Sequence, residues 1–177
     1  KIDKDNYLNA IIKKSQLEWN KYDSIICQSI HVNKLKKMTI IKKGFKNLLK
    51  NPSIFFDIDQ QTIALHFDLH HGTGNLDKAI SVLDKSDRSD FYEYVHTKTY
   101  YNPHIMFIAK PKIHDKWFNT LFPWLERCEE LFGFKNLEGY RTQRLYAYLA
   151  ERYLSFWFKK YTASLEWPFT TIQHNEK

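Results

Sequence analysis

The stretch from Gly139 to Tyr161 constrains the fold most, because it reads as one long helix that is apolar over most of its circumference. Take Arg144 as the zero of angle. At about 100° per residue, Glu151 then falls near −20°, Tyr148 near +40°, Arg141 near +60° and Arg152 near +80°. Three arginines, a glutamate and a tyrosine share one side, while Leu145, Leu149, Tyr153, Leu154, Phe156 and Trp157 take the rest. Such a helix belongs inside a protein. Its polar stripe must face a partner, a cleft or another charged element, because unpaired buried charge is costly. Two readings follow. One is a structural ion-pair network. The other is a cleft wall, where Arg holds an anionic group such as a nucleotide diphosphate and Glu is a base or an acceptor for a sugar hydroxyl.

Strand-like and helix-like stretches alternate along the chain, so the class is α/β, a mixed sheet with packed helices. Residues 5 to 20 have a helical apolar face, and Ser24 to Val32 reads as a strand. Lys34 to Lys50 reads as a turn and a surface helix that Pro52 ends. Ile54 to Asp59 and Thr62 to His70 are short apolar or alternating runs that read as strands. Asn75 suits the N-cap of a helix through Leu83, and Asp87 to His96 suits another. His104 to Ala109, between two prolines, has the pattern of a buried strand. From Asp115 to Phe132 the spacing of Leu121, Leu125, Cys128 and Phe132 is helical, with Gly133 as its stop.

The 177 residues suit one domain. With 43% hydrophobic and 16% aromatic residues the chain is too apolar to stay disordered. No apolar run reaches the ~20 residues that span a bilayer. Lys1 to Asn6 do not read as a secretory leader, and without an initiator Met the chain is expected to be a piece of something longer. Cys27 and Cys128 have no metal or redox spacing and read as reduced, packed thiols, which fits a reducing cytoplasm.

The net charge of +7 is local: residues 1 to 50 hold twelve Lys against four acids, and the remainder is nearly balanced. Lys34, Lys36, Lys37, Lys42, Lys43, Lys46 and Lys50 form a patch able to meet a membrane, an anionic polysaccharide or nucleic acid, or to serve only as a solvated face. It contains no Arg, the residue that reads phosphate geometry, and only Phe45 interleaves it. Salt-sensitive adhesion to anionic membranes is therefore expected rather than specific nucleic-acid binding.

Asp57-Ile58-Asp59 spells D-x-D, the pattern that holds Mg²⁺ or Mn²⁺ against a donor diphosphate in many nucleotide-sugar transferases; a solvated turn is the other reading. On the strand reading, His66, Asp68 and His70 point to one face, where they could hold zinc. His71 precedes a Gly72-Thr73-Gly74 turn, the kind of loop that touches substrate. No nucleophile elbow, Cys-His signature or Walker motif is present, which leaves hydrolases of the usual nucleophilic type unsupported.

The long helix also carries a resemblance. Arg144-Leu145-Tyr146-Ala147-Tyr148-Leu149-Ala150-Glu151-Arg152 resembles the R-x-x-G-[FY]-L-x-E-R motif of a bacterial domain family, long catalogued as of unknown function, found in capsular-polysaccharide and O-antigen glycosyltransferases. Tyr22-Asp23-Ser24-Ile25-Ile26 resembles its "kyDiIl" strand. His71 to Leu76 resembles its H-x-x-x-[DN]-L helix start. Ile105 to Ile108, with Trp117 to Leu125, resembles its "NMFI…wlF" segment. The likeness covers roughly Asp5 to Phe158. Ala147 stands where the family has Gly, and Ile105 where it has Asn, with Asn102 and His104 close by as substitutes. The family's N-terminal "HYRRYF" motif has no counterpart here, so the chain resembles the C-terminal portion of the domain.

The resemblance implies a partial nucleotide-sugar-transferase-like domain. It would transfer a sugar from a nucleotide-sugar donor to a growing, lipid-linked capsular or lipopolysaccharide glycan, in the cytoplasm or on the inner face of the membrane. Much of the donor site would lie outside these residues, and the chain alone would be inactive. Glu151 or His71 would deprotonate the acceptor, and Arg144, Arg152, Tyr148, Asn102 and Arg141 would hold the donor. The competing expectation is a non-catalytic module that binds an anionic partner through residues 34–50.

Overall fold

The computed structural model describes residues 12, 14–134, 137 and 143–170. The long helix is the axis of the core. As α7 in chain order it runs Leu145–Tyr161, and every residue from Arg152 to Phe158 is buried. Its expected first turns, with Arg141, lie outside the described residues. Six helices precede it among the described residues: α1 Lys37–Lys43, α2 Phe45–Lys50, α3 Ile63–His71, α4 Asn75–Ser81, α5 Lys85–Thr97 and α6 Pro111–Phe132. The fold is mixed α/β, with helices packed around a small sheet.

The sheet is built on β1, Ser24–Cys27. All four of its residues are buried, as in a strand covered on both faces, and the hydroxyl of its one polar residue, Ser24, is hydrogen-bonded to those of Thr162 and Ser164. It lies between β4, Phe107–Ala109, which runs antiparallel to it, and β5, Ser164–Trp167, which runs parallel. A second, two-stranded ladder pairs β2, Ile30–His31, with β3, Tyr100–Tyr101. The expected single strand from Ser24 to Val32 is thus two short strands in different ladders.

Helix α6 begins at Pro111, in the first turn where a missing N–H costs nothing, and ends at Gly133, whose φ of 65° suits a residue without Cβ. Its core stripe is Trp117, Leu121, Trp124 and Cys128, with Leu125 and Phe132 only half-buried. The stripe therefore sits slightly N-terminal of the one expected. Trp117 and Trp124 meet Tyr153 of α7 at ring-centroid distances of 5.7 and 4.8 Å. Phe91 of α5 closes the same aromatic cluster.

Beside this cluster lies a buried carboxylate. Asp87 accepts hydrogen bonds from the hydroxyls of Tyr153 and Tyr161 and from the Lys160 ammonium. Burial pushes its carboxyl up, but these donors reverse that and hold it below the usual carboxylate range.

Two expected strands are not strands. Residues 54–59 lie in a pair of 3₁₀ turns, Pro52–Phe55 and Ile58–Gln60, nucleated by Pro52 and by Asn51, whose side chain accepts from Ser53 N. The run from Thr62 to His70 instead falls on α3, Ile63–His71, and its cap Thr62, whose Oγ1 accepts from Leu65 N at 3.3 Å. Helix α3 is buried on two sides. Ile63, Ala64 and Phe67 enter the main core. Leu65 and Leu69 enter a smaller core with Ile40 and Ile54.

The turn after α3 also differs in detail. Gly74, at φ 79°, holds the N-cap position expected for Asn75. Asn75 Nδ2 instead donates back to the carbonyl of His71, at the end of α3. The expected helix over residues 5 to 20 falls largely on undescribed residues, and Leu17–Lys21 form a single 3₁₀ turn. Among the described residues no helix is long and apolar enough to cross a membrane.

Candidate functional site

The site forms where the first half of α7 passes α3 and the loop between β3 and β4. The apolar remainder of α7 is bound into the core, so its polar stripe is held in a fixed direction. Glu151 is the best-placed carboxylate. One of its oxygens accepts from Nη1 of Arg152, and the other accepts from the backbone N–H of His104 at 2.6 Å. Its side chain keeps 13% exposure, against 1% for Arg152. The carboxylate is therefore clamped at two points and still touches solvent. Each carboxylate oxygen has a second lone pair, so a further donor can be accepted.

His104 has a φ of 66°. The left-handed region is uncommon for a residue with a Cβ and costs on the order of 1 kcal/mol. The bond to Glu151 and the edge-on contact of its ring with Phe169, at 5.1 Å, hold it there.

Arg152 is enclosed. Its guanidinium lies 3.8 Å from the ring centroid of Tyr101 and 5.8 Å from that of Phe67. Nη2 is 3.4 Å from Nδ1 of His66. Arginine has only donors, so His66 Nδ1 must accept and its imidazole is neutral. Burial and the charge of Arg152, with His70 and His71 nearby, push its pKa down to about 3. Burial likewise raises Tyr101 to about 12. Arg152 and Glu151 are thus paired beside the rings of Tyr101, Phe67 and the neutral His66.

His71 stacks on Tyr148 with centroids 3.8 Å apart and meets Phe67 edge-on at 4.8 Å. Tyr148 in turn lies under the guanidinium of the exposed Arg144, at 5.5 Å. His71, Tyr148 and Arg144 form a ladder leading from the core to the surface.

A family model described as "Domain of unknown function (DUF4422)" matches residues 7–162. The chain belongs to that family. Its match takes in both sides of the site, from α3 to α7. No curated protein and no solved structure matches the chain.

Within this DUF4422 fold most of the residues singled out in the sequence gather at one place. Arg144, Tyr148, Glu151, Arg152 and His71 are linked by the contacts above. Arg152 faces inward, however, and its charge is shared by Glu151, Tyr101 and His66. Asn102 is fully buried. Its Nδ2 donates to the Cys27 carbonyl at 2.6 Å, and its Oδ1 accepts from Ser155 Oγ at 2.7 Å. It therefore ties the chain just after β3 to β1 and α7, two residues before His104. Arg141 lies outside the described residues.

Asp57 and Asp59 stand apart from this site, exposed on a 3₁₀ turn where Asp57 Oδ1 accepts from Asp59 N at 2.9 Å. The His66, Asp68, His70 face is also undone, because the segment is helical. His66 and His70 stack at 4.5 Å one turn apart, while Asp68 accepts from Asn47 and from Gly74 N. Among the described residues no group of three or more His, Cys, Asp or Glu could hold a metal ion. The two cysteines are buried free thiols, and burial raises Cys128 to about 12.

Sequence reasoning missed His66, Tyr101 and the His104 amide as parts of the site. His66 was hidden by the strand reading of its segment. A backbone N–H carries no sequence signal at all. Pro103 beside His104 was the sole local hint of an unusual turn.

Proposed function

We propose that this DUF4422 chain is part of a glycosyltransferase. It would act in transfer of a sugar from a nucleotide-sugar donor to a growing capsular or lipopolysaccharide glycan. The observation that carries the reading is the clamped Glu151: a partly exposed carboxylate fixed by a buried arginine and by a left-handed backbone amide. The helix bearing it has the sequence that resembles the R-x-x-G-[FY]-L-x-E-R motif.

Sugar transfer needs an acceptor hydroxyl deprotonated and a diphosphate leaving group stabilised. Glu151 is the base in this reading, because it reaches solvent with its orientation already fixed. Arg144, exposed over Tyr148, meets the donor phosphates. Arg152 is a positioning residue that acts through Glu151. His71, at 5% exposure between Phe67 and Tyr148, supports the aromatic platform rather than taking the proton.

The test is calorimetry with UDP-, GDP- and CMP-sugars. It compares the 177-residue chain with the same chain extended by whatever the native gene encodes ahead of Lys1. Weak binding by the shorter chain and saturable binding by the longer one are expected. Arg144→Ala in the longer chain should weaken binding about tenfold, the loss of one charge-assisted hydrogen bond. Glu151→Gln should keep binding and lose transfer. No binding by either form, or full transfer by Glu151→Gln, would overturn the reading.

A further inference from the structure

We infer that α1, α2 and the turns after them form an interfacial membrane-docking surface, in which apolar side chains enter an anionic bilayer inside a ring of lysines. The inference is independent of the sugar-transfer reading.

The placement of the side chains comes first. Helix α1 turns Ile40 into the smaller core, and α2 turns Leu48 toward it. At about 100° per residue, Met38 and Lys42 on α1 lie about 160° from Ile40, and Ile41 about 100° from it. On α2, Leu49 and Lys50 lie about 100° and 160° to 200° from Leu48. The faces turned away from the protein therefore carry apolar and basic groups together. Met38, Phe45 and Leu49 are 58%, 58% and 68% exposed, and Phe56, on the adjoining turn, is 82% exposed. Large apolar side chains concentrated like this need an explanation that singly scattered ones do not.

The charge is one-sided. Lys34, Lys36, Lys37, Lys42, Lys43 and Lys50 are all exposed. No Asp or Glu occurs between Ser24 and Phe56. Lys34 and Lys37 line a recess of 610 Å³ together with Phe55, Phe56 and Ile58, and the Lys37 ammonium lies 5.1 Å over the Phe55 ring. A recess offering two ammonium groups beside apolar side chains suits a lipid phosphate with the start of its acyl chains.

These features together favour a bilayer over a protein or nucleic-acid partner. A protein partner in a helix groove would need a continuous stripe, but here short helices present separate apolar tips divided by lysines. Nucleic acid would be met by Arg and stacked aromatics, which the two helices lack apart from Phe45. A bilayer interface accepts apolar tips at the acyl boundary and ammonium groups at the phosphates, with no shape to match.

The test is co-sedimentation of the whole chain with vesicles of phosphatidylcholine alone or mixed with phosphatidylglycerol, at low and high salt. Binding to the mixed vesicles alone is expected. The Phe45→Ser, Leu49→Ser, Phe56→Ser triple variant should bind about tenfold more weakly or worse, with its residual binding removed by salt. Replacing Lys36, Lys37, Lys42 and Lys43 by Gln should abolish binding. Phe122→Ser, an exposed apolar site on α6, should bind as wild type. Circular dichroism and the thermal midpoint confirm that each variant is folded. The inference is overturned by wild-type chain that ignores mixed vesicles at low salt, by a folded triple variant that binds undiminished, or by a nucleic-acid shift without vesicle binding.

Discussion

At the scale of single residues, the site depends on a charge pair whose two members are unequally buried. Arg152 is sealed and Glu151 is not. Removing the sealed partner leaves Glu151 with the His104 amide alone and opens a hole between Tyr101 and Phe67. Arg152→Met should therefore cost about 3 kcal/mol or more of unfolding free energy, and Glu151→Gln clearly less, as read by urea titration. His66 supplies a second expectation. Its folded pKa of about 3 lies far below the ordinary value of 6.5. Between those two values the unfolded chain binds a proton that the folded chain refuses, so stability is complete above the ordinary value and falls as the pH drops toward the folded one. The slope should approach about 1.4 kcal/mol per pH unit. Denaturant midpoints measured at steps from neutral pH to pH 4 should show that slope, and His66→Gln should flatten it. The shared side of Tyr148 and Glu151 was legible from helical periodicity, because a regular helix converts spacing into direction, whereas Arg152, read onto the same side, faces inward. The His104 amide was not legible, since every residue but proline has one, and only the fold decides where it points.

At the scale of elements, α3 shows how a helix can read as a strand. Its sequence alternates Leu65, His66, Phe67, Asp68, Leu69, His70. A helix packed against one core shows its apolar residues three and four apart. Helix α3 is packed against two. Leu65 and Leu69 form one stripe and Ile63 and Phe67 another, set about 160° to 200° apart, and two opposed stripes of period four interleave into an apparent period of two. The long helices α6 and α7 were legible because each has one dominant burial pattern over many turns. The short elements between Ile54 and Gln60 were not, since local caps from Asn51 and Asp57 outweighed weak strand propensity. The α1–α2 junction gives a third expectation. A Cβ on Gly44 would lie 2.6 Å from Leu69 Cδ2 and 2.8 Å from the Ile40 carbonyl oxygen. Leu69 is a flexible end, but the Ile40 carbonyl is backbone of α1 itself, so Gly44→Ala should distort the α1–α2 junction at a cost of about 1–3 kcal/mol. A lowered thermal midpoint with an unchanged helical circular-dichroism spectrum is the expected signature.

At the scale of the whole molecule, the sheet joins the two ends of the described chain. Ser24 pairs with Ser164 in the parallel ladder, and their hydroxyls bond directly at 2.8 Å. Asp23 accepts from the backbone of Ala163 and from Lys110, and Trp19 meets Trp167 edge-on at 5.1 Å. Deleting residues 163–177 should leave β1 with an open edge and a stripped aromatic contact. The expected result is a chain that keeps most of its helical circular dichroism, binds a hydrophobic dye and is cut rapidly by protease; a resistant, dye-silent product would show that β5 is dispensable. The same pairing sets a timetable for the protein's birth. Ser24 leaves the ribosome 140 residues before its partner. At about 5–20 residues per second that is a wait of roughly 7–30 s. Throughout that interval Ser-Ile-Ile-Cys is an unsatisfied strand edge in a crowded cell, the state in which chaperones capture chains and neighbouring nascent chains stick together. Slower translation lengthens the exposure and faster synthesis shortens it, so the rate of synthesis sets how long this edge stays open before the fold can close it.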